Sequence, residues 1–148
     1  MLPRDLYESL FKFAFVRNPW DLQVSSYHHI RRERTQLLKP NETFDEFLRR
    51  KLDPSRPWQY HIDTSITPQS DYLVDLKGNL IVDFIGHYET LQQDFDECCR
   101  RIGIPKIELP HRRKADDRLA YRDYYTPETK ALVTEAFARD IEILGYEF

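Results

Sequence analysis

Phe11-Lys12-Phe13-Ala14-Phe15-Val16 is apolar apart from Lys12 and carries aromatic and β-branched side chains. That composition predicts a buried strand. Arg17-Asn18-Pro19 follows with no linker. Asn is a strong N-cap, and Pro is favoured at the first helical position. Trp20, Val24, Tyr27, His28 and Ile30 then recur at helical spacing, so a helix is expected from Pro19 to about Arg34. A strand that delivers an arginine to its C-terminal end, with a helix starting at once, is where open α/β sheets bind ligands.

The remaining chain alternates helix signals with turns. Thr43-Phe44-Asp45-Glu46 reads as a capping box, with Phe44, Phe47, Leu48 and Leu52 on one helical face. Asp53 to Ser70 contains Pro54, Pro57 and Pro68 and predicts a long ordered loop. Tyr72–Leu76 and Leu80–Ile85, joined by Lys77-Gly78-Asn79, predict a hairpin. Gly86 reads as a break before a helix bearing Tyr88, Leu91, Phe95, Cys98, Cys99 and Ile102, which Gly103 closes. Residues 104–125 read as irregular, basic and aromatic. Thr126-Pro127 opens a last helix with Leu132, Val133, Ala136, Phe137 and Ile141 on its apolar face. Gly145 ends it, and Tyr146 and Phe148 are expected to pack back on the core. The 148 residues are expected to form one domain, 1–148, without repeats or a linker.

Charge and composition narrow the function. Residues 58–99 hold one basic and eight acidic side chains, while 100–118 hold seven basic and three acidic. Basic groups therefore gather in two stretches, Arg31–Arg34 and Arg112–Arg118. Either makes an anion site if the fold brings it beside Arg17; a solvated surface is the alternative. A pI near 6.0 with an acidic middle argues against a nucleic-acid binder. Four glycines leave no material for a Gly-rich phosphate loop, and Gly-x-x-x-x-Gly-Lys-Ser/Thr is absent, which argues against a P-loop kinase or NTPase. No apolar run reaches membrane-spanning length, and Pro3, Arg4, Asp5 and Glu8 are unlike a signal peptide. A cytoplasmic, reducing setting is expected for a chain with two adjacent cysteines. His28 and His29 point about 100° apart on a helix, and no His or Cys pair has zinc-site spacing, so no metal is expected. His61 is a candidate for an acceptor pocket, and Trp58, Tyr60, Tyr124 and Tyr125 are candidates for ring stacking; core packing or surface is the alternative for each.

The densest chemistry lies in Phe15-Val16-Arg17-Asn18-Pro19-Trp20-Asp21 through Ser25-Ser26-Tyr27. A helix N-terminus attracts anions, and the Arg17 guanidinium can hold a phosphate through two hydrogen bonds. Ser25 returns to nearly the face of Asn18 two turns later, roughly 10 Å along the axis. One phosphate bridging Arg17 and Ser25 fits these residues; so does a structural arginine beside a capped helix.

"FVRNPWDLQVSSY" closely resembles the sulfotransferase motif for the 3′-phosphate of 3′-phosphoadenosine-5′-phosphosulfate, carried here by Arg17, Asn18, Pro19, Ser25 and Tyr27. "SDYLVDLKGNLIVDFIGHYETLQQDF" resembles a second block of the carbohydrate-type, Golgi-like family and its short bacterial members, with Gln69, Tyr72, Asp83, Gly86 and Glu89 in register. "YRDYYTPETKALVTEAFARDIEILGYEF" resembles the family's C-terminal ending. The likeness runs from Phe11 to Phe148. It implies an α/β fold of the P-loop-NTPase-like sulfotransferase type, with a parallel sheet core flanked by helices. It implies that nucleotide as sulfate donor, no metal, and transfer of a sulfonyl group to a hydroxyl or amine, with a glycan as the commonest acceptor. Arg17, Asn18 and Ser25 carry over to the donor site, and the basic loop with Arg113 and Lys114 lies where the family approaches donor or acceptor.

The chain also departs from that pattern. The family opens with a strand and a Pro-Lys-x-Gly-x-Thr loop around the 5′-phosphosulfate, and nothing like it occurs here. The sequence therefore reads as an N-terminally truncated, C-terminal portion of the family domain, with a sheet edge left open for a second copy or another chain. No catalytic base is identified: Arg4, Asp5 and Glu8 are the polar candidates ahead of the strand. Leu22 and His87 stand where arginines are usual, and Ala115-Asp116 replaces small hydroxyl or amide residues. A catalytically inactive nucleotide-binding or protein-interaction module is the alternative function.

Overall fold

The computed structural model describes residues 3–56, 64–110 and 118–148. The chain divides into two compact units. The first comprises described residues 3–17 and 73–110; the second comprises 18–56, 64–72 and 118–148.

In the first unit, helix α1 (Arg4–Ser9) precedes strand β1 (Phe13–Val16). Strand β2 (Phe84–His87) lies parallel to β1, pairing Phe13 with Phe84 and Val16 with His87. The Asp83 carboxylate accepts from the Lys12 amide at 2.7 Å and meets its ammonium at 3.0 Å, which fixes where the pairing begins. The Lys12 hydrogen bonds and charge hold Asp83 below the usual carboxylate range. Helix α4 (Leu91–Ile102) packs against β2, buries Cys98 and Cys99, and ends at Gly103 with φ +83°. The left-handed conformation at Gly103 suits the expected C-cap.

Three expectations are corrected in this unit. β1 is less buried than its apolar run predicts: Val16 is buried, whereas Phe13 is 40% exposed. Among the described residues the sheet has two strands, so β1 is covered on one edge by β2 alone. The hairpin over 72–85 shrinks to one antiparallel bridge, Val74 with Leu80. The Asp75 carboxylate captures the Lys77 and Asn79 amides in a tight turn, and Asp83 leaves to meet Lys12. Side-chain capture of nearby amides competes with ladder pairing.

Gly86 is not a break; it lies inside β2, opposite Phe15. A Cβ there would sit 2.5 Å from the Phe15 ring and 3.1 Å from Asp94 Cβ. Glycine is required by this close approach. Gly86→Ala is therefore expected to cost about 1–3 kcal/mol by overpacking. Urea unfolding reads the loss, and Phe15→Leu in the same chain should return part of it.

The second unit is helical. Helix α2 (Pro19–Glu33) follows the Asn18 cap as expected. Helix α3 (Phe44–Leu52) starts at the Thr43–Glu46 capping box, with both reciprocal hydrogen bonds formed. Helix α5 (Pro127–Ala136) gives way at Phe137 to α6 (Ala138–Leu144), so the final helix is two. Their core comprises Trp20, Val24, Tyr27, Ile30, Phe44, Phe47, Leu48, Val133 and Phe137. Aromatic edges dominate it: Tyr27 meets Phe44 at 5.6 Å, and Phe148 meets Trp20 at 5.5 Å. Tyr146 and Phe148 pack on this core, as expected.

Candidate functional site

Arg17 follows the last residue of β1, and Tyr88 follows the last residue of β2. Since Val16 pairs with His87, the next residues of two parallel strands emerge side by side. The Arg17 guanidinium carbon lies 4.0 Å from the centre of the Tyr88 ring, a face contact of cation–π type. Tyr88 starts a short 3-10 turn, Tyr88–Thr90. Asp94 clamps that turn from α4, accepting from the His87 amide at 2.7 Å and the Thr90 hydroxyl at 2.8 Å.

Burial pushes the Asp94 carboxyl up, but the hydrogen bonds from His87 and Thr90, with the His87 charge, outweigh it. The net shift is downward. A lowered folded-state pKa means the clamp's stabilisation is complete above the ordinary aspartate range and is lost as pH falls through the folded value. The His87 amide resonance is thus expected to titrate with a midpoint below that of an unperturbed aspartate, and the Asp94→Asn variant should show no such titration.

The second unit, taken by itself, begins with the start of α2. Asn18 Oδ1 accepts from the Trp20 and Asp21 amides at 3.0 and 3.2 Å, and Asn18 Nδ2 donates to the Glu147 carbonyl at 3.2 Å. Pro19 has no amide proton. The Asn18 side chain thus caps two of the amides on which a helix-end anion site would draw. Its observed role is setting the helix entry, and Ser25 lies half-buried two turns on.

Asp21 pairs with Arg118, so this arginine of the second basic stretch is engaged within the helical unit. Arg113 and Lys114 lie outside the described residues, as do Trp58, Tyr60, His61 and Ala115-Asp116. Tyr124 and Tyr125 border the core instead of standing free for stacking. The Tyr125 hydroxyl donates to the Trp20 carbonyl at 2.8 Å, and burial pushes its ionisation far up. Arg4 and Glu8 pair with each other on exposed α1.

Tyr88 and Lys51 are functional candidates that sequence patterning overlooked. Tyr88 was expected on an apolar helix face; the strand register is what brings it to Arg17. Lys51 receives no role in the sequence reading, yet it is buried and donates to the Ser26 and Ser65 hydroxyls at 2.9 and 2.5 Å. A polar residue at the helical spacing of Phe44, Phe47 and Leu48 was the available signal.

Arg17, next after strand β1, carries a planar guanidinium, a group suited to phosphate oxygens. Among the described residues no group of three or more His, Cys, Asp or Glu is placed to hold a metal. No helix among them is long and apolar enough to cross a membrane. Helices with a small parallel sheet place the protein in the α/β class. The model of the sulfotransferase family matches residues 1–147, and the chain belongs to that family. It is also 34% identical over 116 residues to an "Uncharacterized protein" of Archaeoglobus fulgidus, covering 77% of this chain and 86% of that one. No solved structure matches the chain.

Proposed function

We propose that this chain binds 3′-phosphoadenosine-5′-phosphosulfate as sulfate donor and serves sulfonyl transfer to a hydroxyl or amine, with a carbohydrate as acceptor. The carrying observation is Arg17 at the C-terminal end of β1, immediately before the Asn18-capped α2, in a chain of the sulfotransferase family. The bound donor would supply the electrophilic sulfonyl group. Arg17 neutralises and orients the 3′-phosphate through two parallel N–H bonds, and the Ser25 hydroxyl donates a third. Asn18 fixes the angle at which α2 leaves the strand. Arg113 and Lys114 add positive charge near donor or acceptor. Holding the nucleotide at this end lowers the entropic cost of aligning the transferring group with the acceptor oxygen.

The fold behind this reading is a P-loop-like α/β domain spanning 1–148, supported by the parallel β1–β2 pair and the span of the family match. We place it in the cytoplasm, where the buried Cys98 and Cys99 stay reduced, and read the β1–β2 edge as a contact for a second copy. The 148 residues hold no Gly-rich loop for a 5′-phosphosulfate, so we assign them the 3′-phosphate end of the donor site.

Calorimetric titration with 3′-phosphoadenosine-5′-phosphate tests the donor reading. Transfer of labelled sulfate to a panel of oligosaccharides tests the acceptor. Saturable nucleotide binding supports the proposal. Binding without transfer to any acceptor favours the inactive nucleotide-binding module. A folded chain that ignores the nucleotide overturns the donor assignment.

A further inference from the structure

We infer that Tyr88 is a positioning residue for Arg17: its ring is a fixed platform that holds the guanidinium plane for the 3′-phosphate. This rests on the donor reading above and adds a residue to it.

Tyr88 is 49% exposed, so core packing does not explain its place. Its ring approaches a guanidinium more closely than any other described ring; Arg101 over Phe84, at 4.7 Å, is next. The platform is held independently of Arg17. The β1–β2 register sets its position, and Asp94 ties the backbone on both sides through His87 and Thr90. An arginine side chain has several rotatable bonds, and a phosphate that binds it freely must freeze them all. Stacking restricts them beforehand. It uses the face of the guanidinium, whereas the five N–H donors lie in its plane and point outward at the edge. A ring beneath Arg17 is therefore compatible with two-point recognition of a phosphate. A carboxylate in the same place would instead compete for those donors.

The test is calorimetric titration of 3′-phosphoadenosine-5′-phosphate into wild type, Tyr88→Phe, Tyr88→Leu and Arg17→Ala. Phe keeps the ring and loses the hydroxyl; Leu keeps apolar cover and loses the π face. Tyr88→Phe is expected to bind within about twofold of wild type, and Tyr88→Leu about three- to tenfold more weakly, the range of a cation–π contact. In the same samples, the Arg17 Nε–H proton resonance should carry a ring-current shift in wild type and Tyr88→Phe that is lost in Tyr88→Leu. Tyr88→Gln replaces the leucine variant if circular dichroism shows that chain unfolded. Equal affinity in wild type and Tyr88→Leu overturns the inference and leaves the donor reading intact. Equal weakening in Phe and Leu also overturns it, because the hydroxyl would then be the active group. Wild type that does not bind, or Arg17→Ala that binds as wild type does, overturns the donor reading and this inference with it.

Discussion

Arg17→Ala is expected to weaken 3′-phosphoadenosine-5′-phosphate binding by on the order of a hundredfold. A hydrogen bond to a charged partner contributes about 1.5–3 kcal/mol, and a guanidinium can place two on one phosphate. At the lower end of that range, losing both costs about 3 kcal/mol, which is two decades in affinity. Arg17 lies beyond the β1–β2 ladder and outside the buried core, and a thermal melt of each variant separates lost affinity from lost fold. Graded variants separate charge from geometry. Arg17→Lys keeps the charge and loses the planar fork, so its affinity should fall between wild type and alanine. Ser25→Ala removes one donor, and about a tenfold loss is expected. Adenosine 5′-phosphate lacks the group these side chains address, so it should not distinguish Arg17→Ala from wild type. An alanine variant that binds the 3′-phosphorylated nucleotide as wild type does would remove Arg17 from the site.

The placement of Arg17 between a strand and a capped helix start was legible because its signal is local: an apolar run, a cap and a proline lie within nine residues. The helix starts at Pro19, Phe44 and Pro127 were legible for the same reason, each being marked by a side chain that captures an amide two or three positions away. Strand β2 was not. It has four residues, its partner is 71 positions distant, and its glycine carries the same letter as a helix cap. Only the Phe15 ring over Gly86 tells the two roles apart. Tyr88 shares that blindness, since its place beside Arg17 follows from the parallel register and from nothing adjacent to it. The two halves of the resemblance motif also fall in different units, with Arg17 in one and Asn18 and Ser25 in the other. No helical or strand periodicity announces such a division.

Asp140 shows the same limit, and its removal is expected to cost the most stability of the side-chain changes considered. Asp140 is absent from the apolar face read in the sequence, where its neighbour Ile141 stands, yet it is fully buried at the start of α6. Its carboxylate accepts from the Gln69 amide at 2.7 Å and the Ser70 amide at 2.8 Å, at the start of the 3-10 turn Gln69–Tyr72. Those amides have no intrahelical acceptors, and Asp140 caps them from 70 residues away. Beside it, Arg139 meets Asp71 at 3.1 Å, but both side chains are about half exposed and add little. Asp140→Ala strands two amides and opens a small void, so a loss of about 3–4 kcal/mol is expected. For a chain of this length that is a fall of roughly 6–16 °C in the thermal midpoint. Asp140→Asn keeps one carbonyl acceptor and loses the charge, and it should fall about midway. Nucleotide affinity, measured well below the lowered midpoint, should change little in either variant, because neither touches Arg17 or Ser25. An Asp140→Ala chain as stable as wild type would mean that the Gln69 and Ser70 amides are satisfied by another acceptor, and that the tie between the second and third sequence blocks lies elsewhere.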